Sequence, residues 1–244
     1  MDGTMRPTTL RDARKMGLLP SVTTVLRSIA RPDLEHWKIE QACLAVLTSP
    51  LIGDESLDEF VHRVLRVERV QDQEAQKAMD RGTQIHAALE NWFSGKPREE
   101  IAPELIPLIQ PVAEAIVAGG DKALLKETVL VGSGYAGRCD LITLNHGTYT
   151  IWDYKTTSSK LPDKVPWNEH RMQLSAYEHA FLRPGFPGSK MKNVYISTTT
   201  LGEFKILEHE DTEGRYFRAF MALLNYWQAI NDYNPCDIQP TKSE

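Results

Sequence analysis

The feature that most restricts the fold of this chain is a change of hydrophobic period near Leu124. Upstream, apolar residues recur at three- and four-residue spacing, as on a helix with one buried face. From Leu124 onward they follow the strand pattern, in which successive side chains point to opposite faces. Three such runs succeed one another, Leu124–Val131, Tyr135–Leu144 and Thr148–Lys155. Between them lie only Gly132-Ser133-Gly134 and Asn145-His146-Gly147, turn sequences that read as hairpins.

The flanks of this meander read as helices. Pro20-Ser21-Val22-Thr23-Thr24 gathers hydroxyl residues where a helix should start, and Asp33 is expected to cap a second helix carrying Leu34, Trp37 and Leu44. A third presents Phe60, Val61, Val64 and Leu65, and a long polar helix is expected from Gln71 to Phe93, ended by Ser94-Gly95-Lys96-Pro97. Residues 101–118 form another, bent near Pro107 and Pro111. After the meander come a helix over Trp167–Leu182 ending in a Pro/Gly cluster, strands at Asn193–Thr200 and Phe204–Glu208, and an amphipathic helix over Arg215–Tyr233. The expected fold is therefore α/β: a central mixed β-sheet flanked by helices, with an N-terminal helical region. The expected division is residues 1–78 for that region and residues 79–244 for the core.

Composition narrows the setting more than the function. Three cysteines, Cys43, Cys139 and Cys236, are scattered and odd in number, which points to a reducing compartment and against a disulfide framework. No stretch is long and apolar enough to span a membrane, and the first residues lack a secretory apolar run. An intracellular, cytoplasmic protein is expected, in a phage or bacterial setting, with an organellar one left open. A net charge of −5 speaks against a nucleic-acid partner, but residues 1–31 carry six Arg and Lys against two acids, so the whole-chain charge decides little.

Strand parity brings the chemistry into view. In Tyr149-Thr150-Ile151-Trp152-Asp153-Tyr154-Lys155 the alternation puts Asp153 and Lys155 on one face at the strand end. Asp140, after Gly137-Arg138-Cys139, comes about level with Asp153 across the hairpin. Two carboxylates about 4 Å apart repel by roughly 4 kcal/mol at an effective dielectric near 20, so such a pair shares a proton or binds a cation. Oxygen ligation with open water positions suits Mg²⁺ or Mn²⁺. A lysine beside such an ion can hold or activate a water and stabilise charge during phosphodiester hydrolysis. An acid-x-Lys triplet is weak by itself: Glu203-Phe204-Lys205 is a second copy, read as an exposed hairpin strand, and a surface salt bridge is the plain alternative for the first.

Two helices add to the constellation. Gly82, His86 and Glu90 recur one turn apart beside an apolar stripe of Ile85, Leu89 and Trp92. A histidine there is more often a hydrogen-bonded core residue than a ligand. Gln173 and Tyr177, one turn apart, can both face the strand ends bearing Asp153 and Lys155.

In this order, Gly82-x-x-x-His86-x-x-x-Glu90, Gly137-Arg138-Cys139-Asp140, Asp153-Tyr154-Lys155 and Gln173-x-x-x-Tyr177 resemble the RecB-like branch of the PD-(D/E)xK nuclease superfamily. Ser21-Val22-Thr23-Thr24-Val25-Leu26 and Leu34-Glu35-His36-Trp37-Lys38 are similar to the N-terminal region of the mitochondrial genome maintenance exonuclease group and its phage and bacterial relatives. The resemblance implies a restriction-endonuclease-like core, with residues 1–78 as an arch or cover over the site. It implies His86, Asp140 and Asp153 as metal ligands, the Tyr154 carbonyl as an additional one, and Glu127 as a ligand through water. Lys155 would be the catalytic lysine, Gln173 and Tyr177 would position lysine, water or DNA, and Glu90 would sit behind the ligands. Some relatives carry a four-cysteine iron–sulfur cluster; three scattered cysteines cannot supply it, so none is expected.

DNA contacts are expected from Arg81, Arg138, Thr156, Thr157 and Arg171, which flank the motifs. Ser21, Thr23 and Thr24 can either hold a phosphate or cap their helix. Trp37 can stack on a base or belong to the core. The leading expectation is a Mg²⁺- or Mn²⁺-dependent exonuclease on single-stranded DNA or DNA ends, acting in replication, repair or recombination, with a replication or recombination protein as an open partner. A structure-selective endonuclease on the same core and a non-cleaving DNA-binding relative are the alternatives.

Overall fold

The structure is a computed structural model and describes residues 8–29, 32–182 and 189–236. It divides into two compact units: one is Ile29–Gln84 and the other holds the remaining described residues. The Ile29–Gln84 unit is helical. Its first helix, α3 (Pro32–Thr48), starts one residue before the expected cap Asp33, with proline in the first helical position, where its missing N–H costs nothing. The next, α4 (Leu57–Phe93), is one helix of 37 residues where two were expected. No glycine or proline interrupts Leu57–Arg81, so nothing in the local chemistry ends the first before the second begins. Ser56 and Glu59 form a capping box at its start: Glu59 accepts from the Ser56 N–H at 2.8 Å, and Ser56 Oγ accepts from the Glu59 N–H at 3.3 Å. The Trp37 side chain, expected either to stack on a base or to join the core, lies outside the described residues.

The larger unit is built on a five-stranded sheet in the order β1-β2-β3-β4-β5. The strands are β1 (Lys122–Gly132), β2 (Tyr135–Asn145), β3 (Thr148–Thr157), β4 (Ser189–Ser197) and β5 (Phe204–His209). β1, β2 and β3 form the antiparallel meander expected from the sequence, β4 joins β3 in parallel, and β5 returns antiparallel. The β2–β3 turn is tight because Asn145 pairs with Thr148, leaving His146 (φ 47°) and Gly147 (φ 84°) in the left-handed region. That is the backbone a two-residue hairpin needs.

One face of the sheet packs on α5 (Ile106–Ala118) and the last turns of α4. Ile85, Leu89, Leu108, Ile109 and Val112 meet Leu141, Trp152, Tyr154, Val194 and Ile196 there. The opposite face lies under α6 (Asn168–Phe181), which also contacts α2 (Val22–Leu26) and α7 (Arg215–Ile230). α6 is fixed to β2 by Tyr135, whose hydroxyl donates to the Ala176 carbonyl at 2.9 Å; burial pushes that phenol up to about 12. The sheet thus carries helices on both faces, as expected.

Several boundaries differ from those the sequence suggests. β4 covers Ser189–Ser197 rather than Asn193–Thr200, because its polar first half pairs with β3 from Tyr149↔Ser189 onward. It ends where Ser197 Oγ accepts the Thr200 N–H at 3.0 Å and starts a turn. α5 begins at Ile106 and holds Pro111 within it, and α7 stops at Ile230. A short helix, α1 (Leu10–Met16), is an addition to the expected elements; Thr9 and Asp12 close it with a capping box. The Pro/Gly cluster expected after α6 falls outside the described residues. No described helix is long and apolar enough to cross a membrane.

Candidate active site

The site forms where β2 and β3 part. Their pairing ends at Leu141↔Trp152, so the next residues, Asp140 and Asp153, are not joined by ladder hydrogen bonds. Instead the Tyr154 N–H donates to Asp140 Oδ2 at 2.6 Å, a side chain taking the place of a strand partner. The other oxygen, Oδ1, lies 3.2 Å from His86 Nδ1, presented by the last turns of α4. Glu127 of β1 comes to the same place. It sits opposite Asp140, where the β1–β2 pairing skips a residue, and its φ of 42° is uncommon for a side chain of this size. Ligand atoms of His86, Glu127 and Asp140 all lie within 4.8 Å of one another.

Electrostatics bear the marks of this crowding. Burial disfavours the His86 cation, but the Asp140 hydrogen bond and the charges of Asp140 and Asp153 outweigh it and raise its pKa. Glu127 is raised by burial and by Asp140, against the pull of His86 and of Arg138, whose guanidinium lies 3.7 Å away. One imidazole and two crowded carboxylates are a donor set that fits a divalent cation.

Asp153 is not one of these three. It is 2% exposed, and its Oδ2 is held by Lys155 Nζ at 2.7 Å and by Asn193 Nδ2 at 2.8 Å. Burial raises its pKa and the Lys155 charge opposes that rise. Parity therefore places Asp153 and Lys155 correctly on one face, but the pair's first partners are each other rather than the His86 group. Lys155 Nζ also donates to Gln173 Oε1 at 2.9 Å, and Gln173 Nε2 donates to the Tyr177 hydroxyl at 3.1 Å. Both come from α6, whose fit over β2 depends on Gly137: a Cβ there would stand 2.5 Å from the Tyr177 ring and 2.9 Å from Val22.

The remaining expected residues lie around this centre or away from it. Tyr154 joins through its backbone N–H, and its ring, on the α5 face of the sheet, packs edge-on against the His86 imidazole with centroids 5.6 Å apart. Glu90 is half-buried and raises the Glu127 pKa without joining the three-residue group. Ser21 caps α2, accepting the Thr24 N–H at 3.0 Å, with the Thr23 and Thr24 hydroxyls at 3.1 and 2.7 Å. Thr156 and Thr157 end β3, and Thr157 Oγ1 accepts the Ser159 N–H at 3.0 Å. Arg138 is exposed beside Glu127, Arg171 donates to Asn168 and lies over the Tyr216 ring, and Arg81 is half-buried on α4. The second acid-x-Lys triplet leads into β5, which begins at Phe204, and Lys205 there bonds Asp163 at 2.7 Å. Asn193 carries no signal in the sequence; only the parallel pairing Asp153↔Asn193 reveals it.

Residues 126–243 match the sequence profile of the PD-(D/E)XK nuclease superfamily. Over this segment, just under half of the chain, it is similar to that superfamily. The matched segment contains Asp140, Asp153, Lys155, Gln173 and Tyr177. No curated protein matches the chain. Among solved structures, an alkaline exonuclease (LHK-Exo) from Laribacter hongkongensis is similar at 14% identity and a TM-score of 0.40, over 91% of this chain and 92% of that one. A structure described as SSO0001 is similar at 23% identity and a TM-score of 0.27, over 59% of this chain and 73% of that one.

Proposed function

We propose that this chain is a nuclease of the PD-(D/E)XK superfamily, a divalent-metal-dependent DNA exonuclease acting on single-stranded DNA or DNA ends. The observation that carries the reading is the convergence of His86, Glu127 and Asp140 beside the Asp153–Lys155 pair. His86, Glu127 and Asp140 would hold the cation, with Asp153 and the Tyr154 carbonyl completing its shell. Carboxylates suit Mg²⁺ and Mn²⁺ alike, and the imidazole favours the transition-metal ion, Mn²⁺. When bound, the cation polarises the scissile phosphate and acidifies the attacking water.

The protein's own groups do the rest. Lys155 has three ammonium protons and gives two of them, to Asp153 and to Gln173. The third is the donor for the attacking water or for a phosphate oxygen as charge builds on it. Gln173 and Tyr177 fix the direction in which Lys155 points. Burial around Asp153 strengthens these interactions by excluding water. Arg138, Arg171, Thr156, Thr157 and the Ser21, Thr23 and Thr24 hydroxyls are proposed phosphate contacts, as is Arg81. The pathway is proposed as replication, repair or recombination.

The test uses end-labelled linear and circular single-stranded DNA with Mg²⁺, Mn²⁺ or EDTA. Linear substrate should be consumed with either ion and spared in EDTA, and circles should survive. Cleavage of circles would make the protein an endonuclease on the same core, and unchanged activity in EDTA would remove the metal from the account.

A further inference from the structure

We propose that Asn193 is a positioning residue of this centre: its side-chain amide fixes the Asp153 carboxylate independently of Lys155. The inference rests on the function proposed above for the same site. β4 runs parallel to β3 with Asn193 across from Asp153, so the two side chains leave the same face of neighbouring strands. Asn193 is 0% exposed, in a strand whose next residues, Val194 and Ile196, are core. Its Nδ2 donates to Asp153 Oδ2 at 2.8 Å and lies 3.5 Å from the Asp153 carbonyl oxygen. The amide must present nitrogen here, because its oxygen would face a carboxylate.

The other end of the amide shows that more than packing is at stake. Asn193 Oδ1 is buried and has no hydrogen-bond partner among the described residues. Packing therefore does not explain an asparagine at this position; what the side chain gains is its bond to the buried Asp153 carboxylate.

The duplication on Asp153 Oδ2 suggests what the amide does. Lys155 reaches that oxygen from a long flexible stem, and its third proton is engaged by water or phosphate during the reaction. Asn193 reaches it from a short side chain on a central strand, and it carries no charge that the reaction needs. It therefore holds the Asp153 carboxylate while Lys155 serves the reaction, and keeps Oδ1 turned to the cation. Groups that orient ligands in this way alter metal affinity or turnover by about 10- to 100-fold when removed.

The experiment compares wild type, Asn193→Leu and Asn193→Ser, each also in a Lys155→Met background. Mn²⁺ binding is measured directly by electron paramagnetic resonance, alongside kcat, KM for linear DNA, and Tm. In Asn193→Leu the Mn²⁺ Kd should rise and kcat should fall, each by about 10- to 100-fold. KM should stay within about twofold, and Tm should fall only modestly, since one bond to a buried carboxylate is lost. The loss of Mn²⁺ affinity should persist in the Lys155→Met background. Wild-type Mn²⁺ affinity and kcat with a lowered Tm would overturn the proposal, as would loss of the effect once Lys155 is gone. If Asn193→Leu does not fold, Asn193→Ser gives the readings, and failure of both to fold makes Asn193 structural and the proposal wrong. Wild-type protein that neither binds Mn²⁺ nor cuts DNA overturns the underlying function together with this role; unchanged variants beside an active wild type overturn this role alone.

Discussion

Lys155 stands between two acceptors, Asp153 Oδ2 and Gln173 Oε1, and the second of these is itself tied to the Tyr177 hydroxyl. The arrangement makes a graded prediction. Gln173→Leu removes the acceptor that aims the lysine and should lower kcat by about 10- to 100-fold with the fold intact. Tyr177→Phe removes only the group behind Gln173 and should cost less, about tenfold or under. Steady-state kinetics on linear DNA with Mn²⁺ checks both, and an order reversed between them would break the chain of positioning. Part of this arrangement is legible in the sequence. Parity alone puts Asp153 and Lys155 on one face, and helical spacing turns Gln173 and Tyr177 toward them. The Asp140 bond to the Tyr154 N–H and the reach of Asn193 to Asp153 are not legible there, because each depends on which strands neighbour which and where they separate.

At the scale of elements, the seat of α6 on β2 is set by one missing side chain. A methyl group at Gly137 would meet Tyr177 and Val22 well inside contact distance. Gly137→Ala should therefore destabilise the protein by about 1–3 kcal/mol, the usual cost of overpacking. It should also lower kcat, since the helix that shifts carries Gln173. Urea unfolding and kinetics on one preparation test this, and a variant with wild-type values for both would show that α6 is not held there. The meander is legible because alternation and turn residues agree from Leu124 to Lys155. The start of β4 is hidden because Ser189-Lys190-Met191-Lys192 has little strand character of its own and is recruited by β3; Lys192 lies with its ammonium 5.0 Å from the Trp152 ring centroid. The sequence divides the 37-residue α4 where its pattern changes from apolar to polar, although nothing there breaks a helix.

At the scale of the whole molecule, the acid limit of stability should bear the imprint of His209 at the end of β5. Neither ring nitrogen has a hydrogen-bond partner among the described residues, and burial, helped by the Arg171 charge, lowers its pKa to about 4. An unfolded chain takes up a proton on this histidine near pH 6.5, whereas the folded one does so only near pH 4. The contribution is therefore complete above the unfolded value and lost as pH falls between the two. His209→Phe should flatten the fall in unfolding free energy across that window relative to wild type, measured by urea titration at several pH values. Parallel curves for the two proteins would show that His209 is not kept neutral by the fold.

The central claim concerns the nuclease centre itself, and Lys155→Ala tests it most directly. Wild type and variant are compared on end-labelled linear DNA at a Mn²⁺ concentration that saturates both, with Mn²⁺ binding measured in parallel. Retained Mn²⁺ binding with cleavage reduced by about 10²- to 10⁴-fold is the predicted result. Equal rates of cleavage by the two proteins would contradict it.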